Sequence, residues 1–166
     1  LFGIFVERVS LFSQFALIKS FEKHRNQISE ISNVIEATRA EELIHHKFAE
    51  EIISIIKKEY PEWFNEEFNQ TMQRACKKAY QAEIGILDWI YGDSDLDFCK
   101  KETLIEYIKY TFNECLTGIG VDPIFDIDEV KLADLRWFIN EIYSYNRNDF
   151  FASQSNNYNK FRQVSP

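Results

Sequence analysis

The opening stretch, LFGIFVERVSLFSQFALIKSF, constrains the fold more than any other part of the chain. Apolar side chains at Phe2, Ile4, Phe5, Val6, Val9, Leu11, Phe12, Phe15, Leu17, Ile18 and Phe21 fall on nearly every side of a helix. Such a helix has to be enclosed, either by lipid or by other helices. Glu7, Arg8, Gln14 and Lys19 interrupt the run, so it fits neither a membrane span nor a signal peptide. Enclosure inside a helical bundle remains. The helix also starts without a cap residue or an initiator Met, and so reads as part of something longer.

The rest of the chain supplies the enclosing helices. Apolar periodicity predicts helices over about residues 2–23, 26–58, 64–91, 100–118 and 129–143. Pro61 disfavours helix at Tyr60, Gly92 stops the third helix, and Gly-Ile-Gly at 118–120 stops the fourth. Five Gly and three Pro in 166 residues suit long elements with few turns, and no strand alternation, repeat or Gly-rich phosphate loop is present. The fold class read from this is all-α, with antiparallel helices joined by short loops. A chain of this length makes one domain. It is assigned to residues 1–145 as a bundle, followed by a flexible polar tail over 146–166.

A net charge of −8 disfavours nucleic acid and anionic membranes as partners. Cys76, Cys99 and Cys115 lack CxxC spacing and cannot all pair, which suits reduced packing thiols in an intracellular, cytoplasmic protein.

The second helix carries the chemistry. Alternating steps of three and four give Ile28, Ile31, Ile35, Thr38, Glu42, His45, Ala49, Ile52 and Ile56 as its expected buried seam. Glu42 and His45 stand out on it. A carboxylate aimed into a core is costly unless a cation meets it. Residues at i and i+3 are about 5–6 Å apart at Cβ and can reach one metal ion. Inward Glu-x-x-His pairs, with lone glutamates from other helices, form the ligand sets of ferritin-like di-metal proteins. Glu7 is such a lone glutamate on the first helix, sharing a face with Leu11, Phe15 and Ile18. Spacing leaves two bland alternatives open: a hydrogen-bonded Glu/His core pair, and an arginine facing Glu7. Glu41 and His46 fall off the seam; His24 and His46 are read as solvent-facing, and Trp63, Trp89 and Trp137 as core or interface packing.

These residues resemble the small, radical-generating subunit of class I ribonucleotide reductase. VERVSLFSQFALIKSF is similar to the family helix in which a ligand glutamate precedes aromatics around the radical site. The resemblance gives Glu7 the ligand position and Leu11 and Phe15 the pocket positions. TRAEELIHHKF resembles the family's Arg-Asp-Glu-x-x-His motif and places Glu42 and His45 on the second metal. It departs where Glu41 stands for the aspartate that supports a ligand histidine and Ala40 for the arginine. Similarity continues through AYQAEIGILDWIYGD, IEYIKYTFNECLTGIGVDPIF and NDFFASQSNNYNKF. In the last, Phe150 and Phe151 precede Tyr158, the position of the family's radical-relay tyrosine.

The resemblance covers the C-terminal half of the family's domain and implies a ferritin-like bundle of which this chain holds part. It implies a di-metal centre, Fe/Fe first and Mn/Mn or Mn/Fe as other fillings. It also implies a ribonucleoside-diphosphate reductase large subunit as partner, a homodimer of the complete small subunit, and an N-terminal half bearing the other ligands and the radical tyrosine. That half would be a separate chain or a further segment of the same one, and without it and the large subunit the chain would be inactive. Two other functions remain in view: another ferritin-like di-metal oxidase, and a metal-free helical interaction module derived from such a subunit.

Overall fold

The computed structural model describes residues 2–148, with side chains over 3–143. The chain divides into two units, Leu1–Leu135 and Arg136–Pro166. In the first unit a π-helix, Phe2–Ser10, runs straight into α1, Leu11–Arg25. The long α2, Ser29–Glu59, folds back along both, and α3, Glu66–Tyr91, pairs with α4, Lys101–Gly118. A short α5, Glu129–Leu132, closes the unit through a 3-10 turn, Ala133–Leu135. The second unit holds α6, Arg136–Asn148, on which the Trp137 and Phe138 rings lie edge to face 5.6 Å apart. No strand occurs among the described residues, so the all-α expectation holds.

Local chemistry explains most of the boundaries. Left-handed Asn26 ends α1, its N–H donating to the Glu22 carbonyl at 3.0 Å. Ile28 is also left-handed, at φ 54°, although its branched side chain disfavours that region. The turn from α1 to α2 is only three residues long, and both conformations serve it. Pro61 begins a 3-10 turn after α2, and Asn65 caps α3 by accepting the Phe68 N–H at 3.1 Å. Gly92, at φ 53°, ends α3 as its sequence position predicts. The helix expected over 129–143 is broken instead, because the chain tightens into the 3-10 turn at Ala133–Leu135.

The first helix is enclosed as its composition demands. Ile4, Phe5, Val9, Phe12, Phe15, Ala16 and Leu17 are buried. Arg8 is buried with them; its guanidinium lies 4.7 Å from the centre of the Phe12 ring and donates to the Tyr107 hydroxyl at 3.5 Å. The three cysteines are free and buried, and burial pushes the Cys76 and Cys115 thiols up to about 12. Burial disfavours their thiolate forms, in line with the reading of them as packing residues. Of the tryptophans read as core or interface packing, Trp63 is 57% and Trp89 is 84% exposed, which excludes these two from the core of this chain, while Trp137 packs on Phe138. Trp63 instead stacks on Tyr60, 4.4 Å between ring centres.

The seam expected on α2 needs correction. The buried positions are Ser32, Ile35, Arg39, Leu43 and His46, and of these only Ile35 belonged to the expected stripe. Ile28, Ile31 and Ile52 are exposed. The packed stripe lies to one side of the predicted one, because its polar members find partners within the fold. Ser32 donates to Glu22, Arg39 pairs with Glu36, and His46 Nε2 lies 3.3 Å from Glu50 Oε1. His46 is therefore buried, contrary to expectation, whereas His24 is exposed as expected.

Candidate metal centre

Three of the sequence-predicted residues converge. Ligand atoms of Glu7, Glu42 and His45 lie within 4.8 Å of one another. His45 Nδ1 sits 3.2 Å from Glu42 Oε2 and 3.8 Å from Glu7 Oε1. Glu42 and His45 share a face of α2 one turn apart, and Glu7 reaches them from the π-helix. The stripe lies at the margin of the packed interface. The two carboxylate side chains retain under a fifth of their exposure, at 19% for Glu7 and 18% for Glu42, while the imidazole retains 56%.

The approach of the two helices depends on small residues. A Cβ built on Gly3 would lie 3.1 Å from Glu7 Oε2, 3.3 Å from Ala49 Cβ and 3.8 Å from the His45 carbonyl. Gly3 thus lets the π-helix backbone come close to α2 at the level of the cluster. Sequence reading missed it. Its one signal was the pairing of a glycine four residues before Glu7 with Ala49 four residues beyond His45.

Other carboxyls of α2 and α3 are shifted from their ordinary values by their own partners. Burial alone would raise the Glu36 carboxyl, but the Lys19 hydrogen bond, at 2.8 Å, and the Arg39 charge hold it below its ordinary value. The hydrogen bond from His46, with the charges of His46 and Arg8, likewise holds Glu50 below its ordinary value. Burial pushes Glu83 up, and the Ser10 hydroxyl that donates to it works against that shift.

The donor set suits a cation. Two carboxylates and an imidazole offer the O and N atoms that iron, manganese and other divalent metals accept. Donors to one ion at about 2.1 Å can stand no more than about 4.2 Å apart. The three side chains meet that limit by closing a few tenths of an ångström. They fill only part of a coordination sphere, and His45 is its exposed member. Of the other predicted residues, Phe15 is buried and Leu11 half-buried on α1, while Glu41 is exposed and outside the cluster. Tyr158, Phe150 and Phe151 lie outside the described residues, as does the tail from residue 149 onward.

Comparison with known proteins bears on this geometry. Residues 1–131 match the family model for the small chain of ribonucleotide reductase. Over 161 residues, 96% of the chain, the sequence is 24% identical to a probable ribonucleoside-diphosphate reductase small subunit of invertebrate iridescent virus 3, covering 42% of that protein. It is 34% identical over 116 residues, 68% of the chain, to 16% of the ribonucleoside-diphosphate reductase subunit beta of Aquifex aeolicus. It is 26% identical over 122 residues, 74% of the chain, to 35% of the Chlamydia pneumoniae subunit beta. The chain spans less than half the length of each of these relatives.

Proposed function

The chain belongs to the ribonucleotide reductase small-chain family, and from that premise we propose that it supplies Glu7, Glu42 and His45 to a di-metal centre. The centre would serve a ribonucleoside-diphosphate reductase in the cytoplasm. When bound, the metal pair, Fe/Fe before Mn/Mn or Mn/Fe, supplies the oxidising equivalent that such a subunit stores as a radical. The observation that carries this reading is the convergence of two carboxylates, from separate helices, on one imidazole.

This chain's residues have distinct parts to play. Glu7 and Glu42 neutralise cationic charge, and His45 offers a nitrogen. Phe15 and Leu11, on the turns following Glu7, form the apolar wall that keeps water from the radical. Glu41, one residue before Glu42, accepts a hydrogen bond from a ligand imidazole once the centre is assembled. The remaining ligands come from an N-terminal half, joined to this chain or separate, and the completed subunit forms a homodimer. In the tail the Tyr158 phenol gives up an electron and a proton to the stored radical and regains them from the large subunit, so the oxidising equivalent moves towards that subunit, a step that phenylalanine cannot perform.

Metal analysis after gel filtration tests the reading. The isolated chain binds divalent metal weakly or not at all, and joining it to an N-terminal half produces about two tightly held ions per site. Two tightly held ions on the isolated chain contradict the ligand assignment. Tyr158→Phe keeps the metal and the stored oxidising equivalent but reduces nucleotide turnover to background with the large subunit at saturation. Near wild-type turnover removes the relay role.

A further inference from the structure

π-Helices are rare and mostly a single turn long, so one of nine residues needs neighbours to impose it. This one carries Glu7, and its last residue, Ser10, marks the change to α-helical geometry. Ser10 is gripped twice: its hydroxyl donates to Glu83 on α3, and its carbonyl accepts from Ser13 Oγ at 2.9 Å. Glu83 is 5% exposed. A buried carboxyl costs solvation that an apolar side chain would not, so its presence at this junction calls for a use. Glu7 stands three residues before Ser10. Were Ser10 released, the segment could relax towards α-helix, each residue would turn further about the axis, and Glu7 would swing relative to α2.

We propose that Glu83 is a positioning residue for the candidate metal centre. Through the Ser10 hydroxyl its carboxyl fixes the rotational register of the π-helix and so aims Glu7 at Glu42 and His45. The inference rests on the reading of those three residues as metal ligands. A merely structural Glu83 would loosen the whole unit when removed; a positioning one loosens the π-helix and disturbs the ligand set it carries. Glutamine, whose amide oxygen also accepts the serine proton, should substitute.

The test uses the 166-residue chain in two measurements: hydrogen exchange by mass spectrometry without metal, and Co²⁺ titration followed by visible absorbance. Glu83→Ala and Ser10→Ala are expected to speed exchange about tenfold over residues 3–10, leave residues 101–118 unchanged, and weaken Co²⁺ binding about tenfold. Glu83→Gln keeps both within about threefold of wild type. Should Glu83→Ala not fold, Ser10→Ala, which removes one oxygen, carries the test. Exchange that is unchanged over residues 3–10, or raised equally in both segments, overturns the proposal. So does unchanged Co²⁺ affinity in Glu83→Ala when Glu42→Ala abolishes binding. If Glu42→Ala takes up Co²⁺ as well as wild type, the metal reading has failed; then, or if the isolated wild-type chain takes up none, the exchange pattern alone decides the register claim.

Discussion

Two stripes of α2 lie side by side and differ in burial and in partners. Along one, Arg39, Leu43 and His46 are buried, and the polar members are answered from within the fold, by Glu36 and Glu50. Along the other, Glu42 and His45 border solvent and meet each other and Glu7. The adjacent histidines mark the boundary, His46 packed and His45 open. A buried polar group matched one to one by a partner is part of the architecture, whereas among the described residues two carboxylates share a single imidazole, a donor set that suits a cation. Burial alone therefore misleads as a guide to function on this helix.

The largest expected effect separates the stripes by stability. Leu43→Ala removes a buried side chain and should cost about 2–5 kcal/mol in urea unfolding, while Glu42→Ala should stay within about 1 kcal/mol of wild type. Equal losses would break the distinction. Gly3→Ala sharpens it from the other helix, because a methyl there meets both Glu7 and Ala49. Metal affinity should fall about tenfold, while the gain in helix propensity, up to about 1 kcal/mol, keeps the thermal midpoint from dropping. An unchanged affinity would show that the close approach at Gly3 does not set the ligand geometry.

Ile28→Gly is a smaller change and lies on neither stripe. Relief of the left-handed conformation, about 1–2 kcal/mol for an L-residue, exceeds the entropy that glycine adds to the unfolded chain. A net gain of about 0.5–1 kcal/mol should appear in the urea midpoint, and a loss would mean that the exposed isoleucine still contributes more by packing. The last prediction concerns a slope. The Glu50 carboxyl is held below its ordinary value, so it adds stability above the unfolded glutamate range and loses it as pH falls through its folded value. Between about pH 5 and pH 3, Glu50→Gln should lose less stability than wild type. Identical slopes would detach Glu50 from the packed stripe's charge balance.

Pro61, Gly92 and the Gly118–Gly120 turn made the helix ends legible, because each acts on its own backbone. Glu42 and His45 were legible as a pair because their spacing is local to one helix, and Glu7 because it interrupts an apolar run. The packed stripe was not, because Ser32 and Arg39 look like surface residues until Glu22 and Lys19 on α1 and Glu36 on α2 are set around them. The π-helix was hidden for another reason. Where a segment is apolar on nearly every side, a change in residues per turn leaves no mark on the pattern. The broken helix at Ala133–Leu135 carries neither Gly nor Pro to announce it.

The adjacent histidines offer the most direct test of the division of α2 into a packed stripe and a ligand stripe. Co²⁺ affinity of His45→Ala and His46→Ala should be measured side by side, each with its urea midpoint. The account predicts that His45→Ala weakens Co²⁺ binding by about a hundredfold at near wild-type stability. It predicts that His46→Ala lowers the midpoint, through loss of the Glu50 pairing, and keeps Co²⁺ affinity within about threefold of wild type. The reverse pattern, with His46 controlling affinity and His45 controlling stability, would contradict it.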